Sequence, residues 1–153
     1  MNSERIKFRA GQGSVRSDSV YIKEEDSFTN TSNLETSSLV IGHQYLSLEV
    51  DCNNNDIIGV SGFFRLDLCD RKTIYNIKSE TNKTVKVVSD IKLECGIGYE
   101  YIIDGSAIFD AESKILFIGN FYEDVITISI GNNLHVGIND GDIVCIQIEN
   151  INY

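Results

Sequence analysis

Four cysteines, two histidines and a dense set of carboxylates are the residues of this chain best suited to chemistry. Cys52, Cys69, Cys95 and Cys145 lie 17, 26 and 50 residues apart, with no Cys-x-x-Cys pair, and that spacing argues against a structural zinc site. Residues 1–30 show no basic start, apolar run and small-residue cleavage site, so a disulfide framework is not expected either. Cys95 and Cys145 fall in phase with apolar neighbours, as small core residues do. A cysteine nucleophile needs a histidine base. His43 and His135 are each out of phase with the apolar positions around them and are expected as surface histidines. Two histidines 92 residues apart do not make the three-ligand set of a catalytic metal site. No metal, no cofactor and no catalytic residue is expected.

Three local patterns come close to motifs and then depart from them. Asp51-Cys52-Asn53-Asn54-Asn55-Asp56 opens like a calcium loop, but the required glycine is Asp56 and the closing glutamate is Gly62. Gly96-Ile97-Gly98 begins a dinucleotide fingerprint, but Tyr101 replaces its third glycine and a strand follows where a helix is needed. Gly59-Val60-Ser61-Gly62 lacks the spacing of a nucleophile elbow and sits inside a strand pattern.

The carboxylates carry the clearer signal. Residues 1–92 hold 12 basic and 13 acidic side chains, a net of −1, whereas residues 93–153 hold one basic and ten acidic, a net of −9. Solubility alone can account for net charge. A docking field for a basic partner accounts also for its concentration in one third of the chain. Nucleic-acid binding is disfavoured at pI ≈ 4.5, although Arg71, Lys72, Lys78, Lys83, Lys86 and Lys92 cluster in sequence.

The elements that must position these groups are strands. The chain of 153 residues has 22 Ile and 11 Val against 3 Ala, with no proline, a composition that suits pleated, half-buried surfaces. Alternation predicts strands around Ile6–Ala10, Val20–Ile22 and Leu46–Val50, then an eleven-residue strand over Ile58–Leu68 with a bulge or corner at Gly62. Further strands are predicted at Thr73–Lys78, Thr84–Val88, Asp90–Cys95, Tyr99–Asp104, Ser106–Phe109, Lys114–Ile118, Val125–Ile130, Leu134–Ile138 and Ile143–Glu149. Asp140-Gly141 between alternating runs is a strong hairpin signal. Gly131-Asn132-Asn133 and the turn Asp110–Ser113 predict two more hairpins, and residues 80–83 a fourth. Residues 24–38 are almost wholly polar and are expected as an exposed, mobile loop.

Ten or more short strands with little helix imply a single all-β domain over residues 1–153, an antiparallel sandwich or flattened barrel. The chain is long enough to bury its own core without staples, so neither chelator nor reductant is expected to lower its melting temperature. The functional expectation is a cytoplasmic, non-enzymatic immunity protein (antitoxin), one that neutralises a basic toxin of the nuclease kind and touches neither nucleic acid nor membrane. The alternative is a carbohydrate-like ligand-binding or structural assembly module. Turn chemistry places Asp104, Asp110, Glu112, Glu123, Asp124, Asp140 and Asp142 in solvent as the docking charges. Phe121 and Tyr122, in the polar loop between two strands, are expected to anchor the partner. Core closure at one end of the fold is the competing role for Phe121.

Overall fold

The computed structural model describes residues 6–75 and 77–153. Thirteen strands follow in chain order: β1 (Ile6–Gln12), β2 (Ser19–Ile22), β3 (Ser27–Asn30), β4 (Thr36–Val40), β5 (Ser47–Asp51), β6 (Ile57–Phe63), β7 (Lys83–Ser89), β8 (Gly98–Glu100), β9 (Ser106–Asp110), β10 (Ile115–Gly119), β11 (Ile126–Ile130), β12 (Leu134–Asn139) and β13 (Asp142–Ile148). They build a six-stranded sheet in the order β2-β3-β6-β5-β4-β8, a five-stranded sheet β11-β12-β13-β10-β9, and a ribbon β1-β7. Every pairing between these strands is antiparallel except β4 with β8. The fold is all-β. One apolar cluster, including Phe8, Leu39, Leu48, Val60, Val85, Ile118, Val136 and Ile146, draws on all three sheets. Burying a side chain of that kind contributes roughly 1.5–3 kcal/mol. No helix of the described residues is long and apolar enough to cross a membrane.

The two large sheets are also joined by polar groups. Ser19 of β2 donates its N–H to Asn133 Oδ1 at 3.0 Å, and Asn133 Nδ2 returns a bond to the Ser19 carbonyl at 2.7 Å. The side-chain amide of the β11–β12 turn thus acts as one more peptide group in the β2 ladder. The three C-terminal hairpins form as their turn residues predict. Asp140 (φ 53°) and Gly141 (φ 78°) both take the left-handed conformation that a type I′ turn requires, and the Gly141 carbonyl accepts the Phe8 N–H at 2.8 Å.

Several expected elements are corrected. Residues 24–38 are not one open loop, because β3 and most of β4 lie there. Phe28 is buried in the core, and the hydroxyls of Thr36 and Ser38 donate to the buried Glu49 carboxylate at 2.6 and 2.9 Å, joined by Ser61 at 2.7 Å. A polar strand is stable when its hydroxyls have such a partner, and that partner sits on the next strand, β5. The long strand over Ile58–Leu68 stops at Phe63 and gives way to a single 3-10 turn at Leu66–Leu68. Gly62 marks the bend: its φ is 118°, and a Cβ there would run into the Tyr45 carbonyl. Thr73–Lys78 and Asp90–Cys95 form no ladder among the described residues, so residues 80–83 connect no hairpin. Tyr99–Asp104 is strand only as far as Glu100.

The cysteine expectation is corrected as well. Cys52, in the β5–β6 turn, is disulfide-bonded to Cys95 ahead of β8, with 5.6 Å between their Cα atoms. Cys95 is therefore an exposed cross-link and not a core residue, and sequence spacing carries no trace of a pairing made by the sheet. Cys69 and Cys145 are free and buried, and burial pushes each thiol up to about 11, which suppresses the nucleophilic thiolate. Closing a loop over a separation of 43 residues removes about 4 kcal/mol of unfolded-chain entropy. Reductant should therefore lower the melting temperature by roughly 5–15 °C in differential scanning calorimetry. The double variant Cys52→Ser/Cys95→Ser should melt like the reduced protein and ignore reductant. An unchanged wild-type transition under reductant would remove the bond from the stabilising interactions.

Candidate functional site

Strand direction in the five-stranded sheet decides which acidic turns meet. Gly119 at the end of β10 pairs with Ser106 at the start of β9 and with Cys145 near the start of β13, and Asn139 at the end of β12 pairs with Asp142. The segments 101–105, 119–125 and 139–142 therefore converge on one end of the sheet. They bring together Asp104, Phe121, Tyr122, Glu123, Asp124, Asp140 and Asp142. Phe121 is 56% and Tyr122 49% exposed, so neither closes the core. A turn closed by Val125 N–H on the Tyr122 carbonyl, at 3.1 Å, holds Glu123 and Asp124 at its exposed tip. Asp104, Glu123, Asp124 and Asp140 form no ion pair among the described residues.

One expected docking charge, Asp110, is corrected, and two others, Asp142 and Glu112, stand apart from the free acidic set. Asp142 is largely engaged: Lys7 Nζ stands 3.0 Å from its Oδ1, and the Tyr101 hydroxyl donates to the same oxygen at 3.2 Å. Tyr101 also accepts the Ile143 N–H at 3.0 Å, and its burial moves the phenol well above the ordinary range. Lys7, Tyr101, Asp104, Tyr122, Asp142 and Val144 line a shallow depression of about 300 Å³ at this end. Asp110 and Glu112 lie at the opposite end, in the β9–β10 turn. Asp110 is buried, and its carboxylate accepts the N–H groups of Ile74 at 2.9 Å and of Glu112 and Ser113 at 3.2 Å each. It is a fastener, not a docking charge.

Ile74 belongs to a segment that the sequence pattern misassigns. Residues 70–75 and 77–80 lie over the outer face of the five-stranded sheet as the two parts of a strap. At one edge Asp70 bridges Ile108 of β9, and at the other Glu80 bridges Ile128 of β11. The register places Ile108, Phe117, Gln147, His135 and Ser129 in a row across the sheet, on the face away from Leu116, Ile118, Ile146 and Ile148. Six interstrand steps span about 29 Å, and ten extended residues reach about 33 Å, so the strap has almost no slack. Arg71 lies over the Phe109 ring at 5.0 Å, and near the far end Ser79 Oγ stands 2.6 Å from His135 Nδ1.

His135 is thus on the polar face, as its phase predicts, but under the strap and not at the surface. Its Nε2 lies 2.7 Å from Glu149 Oε1. A carboxylate only accepts, so in the neutral ring Nε2 carries the proton and Nδ1 accepts from the Ser79 hydroxyl. A Ser–His–Glu relay results, and its parts come from the strap, β12 and the chain just after β13. Sequence gave it no signal, since Ser79 and His135 are 56 residues apart. His43 sits in the turn before β5, with Nε2 2.7 Å from the Ile103 carbonyl. At the Asp51–Asp56 turn, Asp51 Oδ1 accepts the Asn53 N–H at 2.9 Å and Asp56 Oδ1 pairs with Lys86 at 2.8 Å. No group of three or more His, Cys, Asp or Glu that could hold a metal ion occurs among the described residues.

In the middle of the covered row, Gln147 is 1% exposed, and neither atom of its carboxamide has a hydrogen-bond partner among the described residues. Such a group costs about 1–3 kcal/mol relative to a satisfied one. Comparison with protein families, curated proteins and solved structures finds no match to this chain.

Asp110 provides a pH test of the strap. Accepting the Ile74 and Ser113 N–H groups holds its carboxyl below the usual range. A depressed carboxyl stabilises the fold above its unfolded value near pH 4, and that contribution is lost as pH falls through the lower folded value. The melting-temperature gap between wild type and Asp110→Asn should be widest near neutral pH and close as pH falls below the ordinary carboxyl range. Amide exchange at Ile74 should be faster in the variant. A gap independent of pH would remove the carboxylate from the fastening.

Proposed function

We propose that this chain is a stoichiometric inhibitor of the immunity-protein kind, which captures a basic toxin, a nuclease in the simplest case, on the acidic end of its five-stranded sheet. The observation that carries the reading is the convergence of Asp104, Glu123, Asp124 and Asp140 with the exposed rings of Phe121 and Tyr122 at that one end. Unpaired acidic turns steer a cationic partner and raise the association rate, while exposed aromatic side chains supply the burial that holds it. A nuclease must present cations to phosphate, so the surface that blocks it is expected to be anionic. The disulfide removes the cysteine argument for a reducing cytosol, and capture in an oxidising compartment fits it better.

A second reading is favoured by Ser79, His135 and Glu149. In a serine hydrolase, His135 Nδ1 would take the Ser79 proton as Oγ attacks an acyl carbon, return it to the leaving group, and activate water to release the acid. An aryl fluorophosphonate probe separates the two roles. The inhibitor reading expects no labelling of Ser79. Labelling that disappears in His135→Ala would establish the hydrolase in its place.

The acidic end is tested with the toxin-like product of the adjacent gene, by stopped-flow association at low and high salt. Reversal of both charges in Glu123→Lys/Asp124→Lys should slow association about tenfold at low salt and flatten its salt dependence. The melting temperature should stay nearly unchanged, because both side chains are exposed. Unaltered association kinetics would mean that these charges serve solubility and that the assignment is wrong.

A further inference from the structure

A groove of about 430 Å³ runs between the strap and the sheet face it crosses. Phe117 and Gln147 come from the sheet, Ile74 and Ile77 from the strap, and Phe121 and Val125 from the loop that carries the acidic tip. That size, with mostly apolar walls and an isolated polar group, is typical of sites that take a small ligand or a single protruding side chain. Two observations point to an occupant. The Gln147 carboxamide is buried on the sheet side of the groove, and among the described residues both its donor and its acceptor are unused. The strap above is fastened near its ends, through Asp70, Asp110, Ser79 and Glu80, whereas Tyr75, Ile77 and Lys78 make no backbone hydrogen bond among the described residues. The main-chain groups of Tyr75, Ile77 and Lys78 are thus uncommitted, and the groove is open to an occupant without any movement of the strap.

The groove is continuous with the acidic end. Phe121 is both an exposed ring of that end and a wall of the groove, and Glu123 and Asp124 lie in the chain between Phe121 and Val125. The lining has one cation, Lys78, which is exposed on the strap. A side chain entering here meets an apolar interior behind a rim with two carboxylates.

We propose that the groove receives an apolar side chain of the basic protein partner, flanked in that partner by Lys or Arg, and that the main-chain amide beside it pairs with Gln147. A carboxamide offers one donor and one acceptor side by side, which complements the C=O and N–H of one extended residue. This rests on the acidic-end reading and adds the anchor that charge alone does not supply.

The test maps backbone and side-chain amide shifts of the ¹⁵N-labelled protein with three synthetic pentapeptides, each acetylated and amidated. The first has Phe between pairs of Lys, the second has Ala in place of Phe, and the third has Phe between pairs of Gly. The first peptide should move the Gln147 side-chain amide and Val125 together with Glu123 and Asp124, and the second should move only the acidic tip. The third should move the groove at least fivefold more weakly than the first. In Gln147→Leu, the melting temperature should rise, because an unsatisfied group is removed, and the preference for Phe over Ala should fall at least fivefold. If both lysine peptides move the acidic tip and neither moves the groove, the groove assignment fails while the acidic-end reading stands. If the glycine peptide binds the groove as well as the first, the requirement for a basic flank fails. A lower melting temperature in Gln147→Leu would show that the carboxamide is structural, and it would overturn the proposal.

Discussion

The five-stranded sheet has two open edges, and the structure depends on how they are closed. An uncapped edge leaves a row of N–H and C=O groups free to pair with another chain. Here one segment closes both. The Asp70 N–H and C=O bond to β9 through Ala107 and Phe109, and those of Glu80 bond to β11 through Thr127 and Ser129. A chain tied to opposite edges only ten residues apart has to run nearly straight across the sheet. That constraint covers His135 and Gln147 and leaves a groove wherever strap side chains fail to fill the space. The groove is thus a consequence of edge closure, and any use made of it exploits a geometry needed for other reasons.

Elsewhere the fold satisfies buried polar groups thoroughly. Glu49 gathers three hydroxyls from β4 and β6, Asn133 completes the β2 ladder, and Asp110 collects three backbone N–H groups. Gln147 stands out against that background. The hydroxyls of Ser37 and Thr84 also lack partners, but each is one small group, whereas a carboxamide loses a donor pair and an acceptor together. Leucine fits the same strand position without that cost. A residue that destabilises its own sheet, at the centre of a covered row, is where an interaction with another molecule would restore the balance.

What could be read from the sequence was local. Asp140-Gly141, Gly131-Asn132-Asn133 and the Asp110–Ser113 turn place three hairpins because their backbone requirements lie within a few residues. With those hairpins came the alternation of Ile and Val that defines β9 to β13. The strap was hidden for the opposite reason. Its letters, Ile74 and Ile77 among charged and aromatic residues, suit a strand by composition, and only edges formed by residues 106–130 decide otherwise. The Cys52–Cys95 bond and the Ser79–His135–Glu149 relay also join distant segments, and no short window along the chain contains them. For the acidic residues, turn chemistry correctly put most of them in solvent, but it could not say which turns share an end. Strand direction separated Asp110 and Glu112 from the rest.

The two ends of the five-stranded sheet differ in how much of their charge is used in forming the turns. At one end the β11–β12 turn is built from Gly131, Asn132 and Asn133, and the acid of the neighbouring turn, Asp110, is spent on backbone N–H groups. Of the two acids in that turn only Glu112 is left free among the described residues. At the other end Asp140 occupies a left-handed position that asparagine fills equally well. Glu123 and Asp124 sit at an exposed tip closed by a main-chain bond that needs neither carboxylate. Like charges gathered at one place repel one another, and Lys7 relieves only Asp142 among them. Among the described residues no other ion pair offsets that repulsion, and on the proposed reading the compensating charge comes from a partner whose cations meet Asp104, Glu123, Asp124 and Asp140 together.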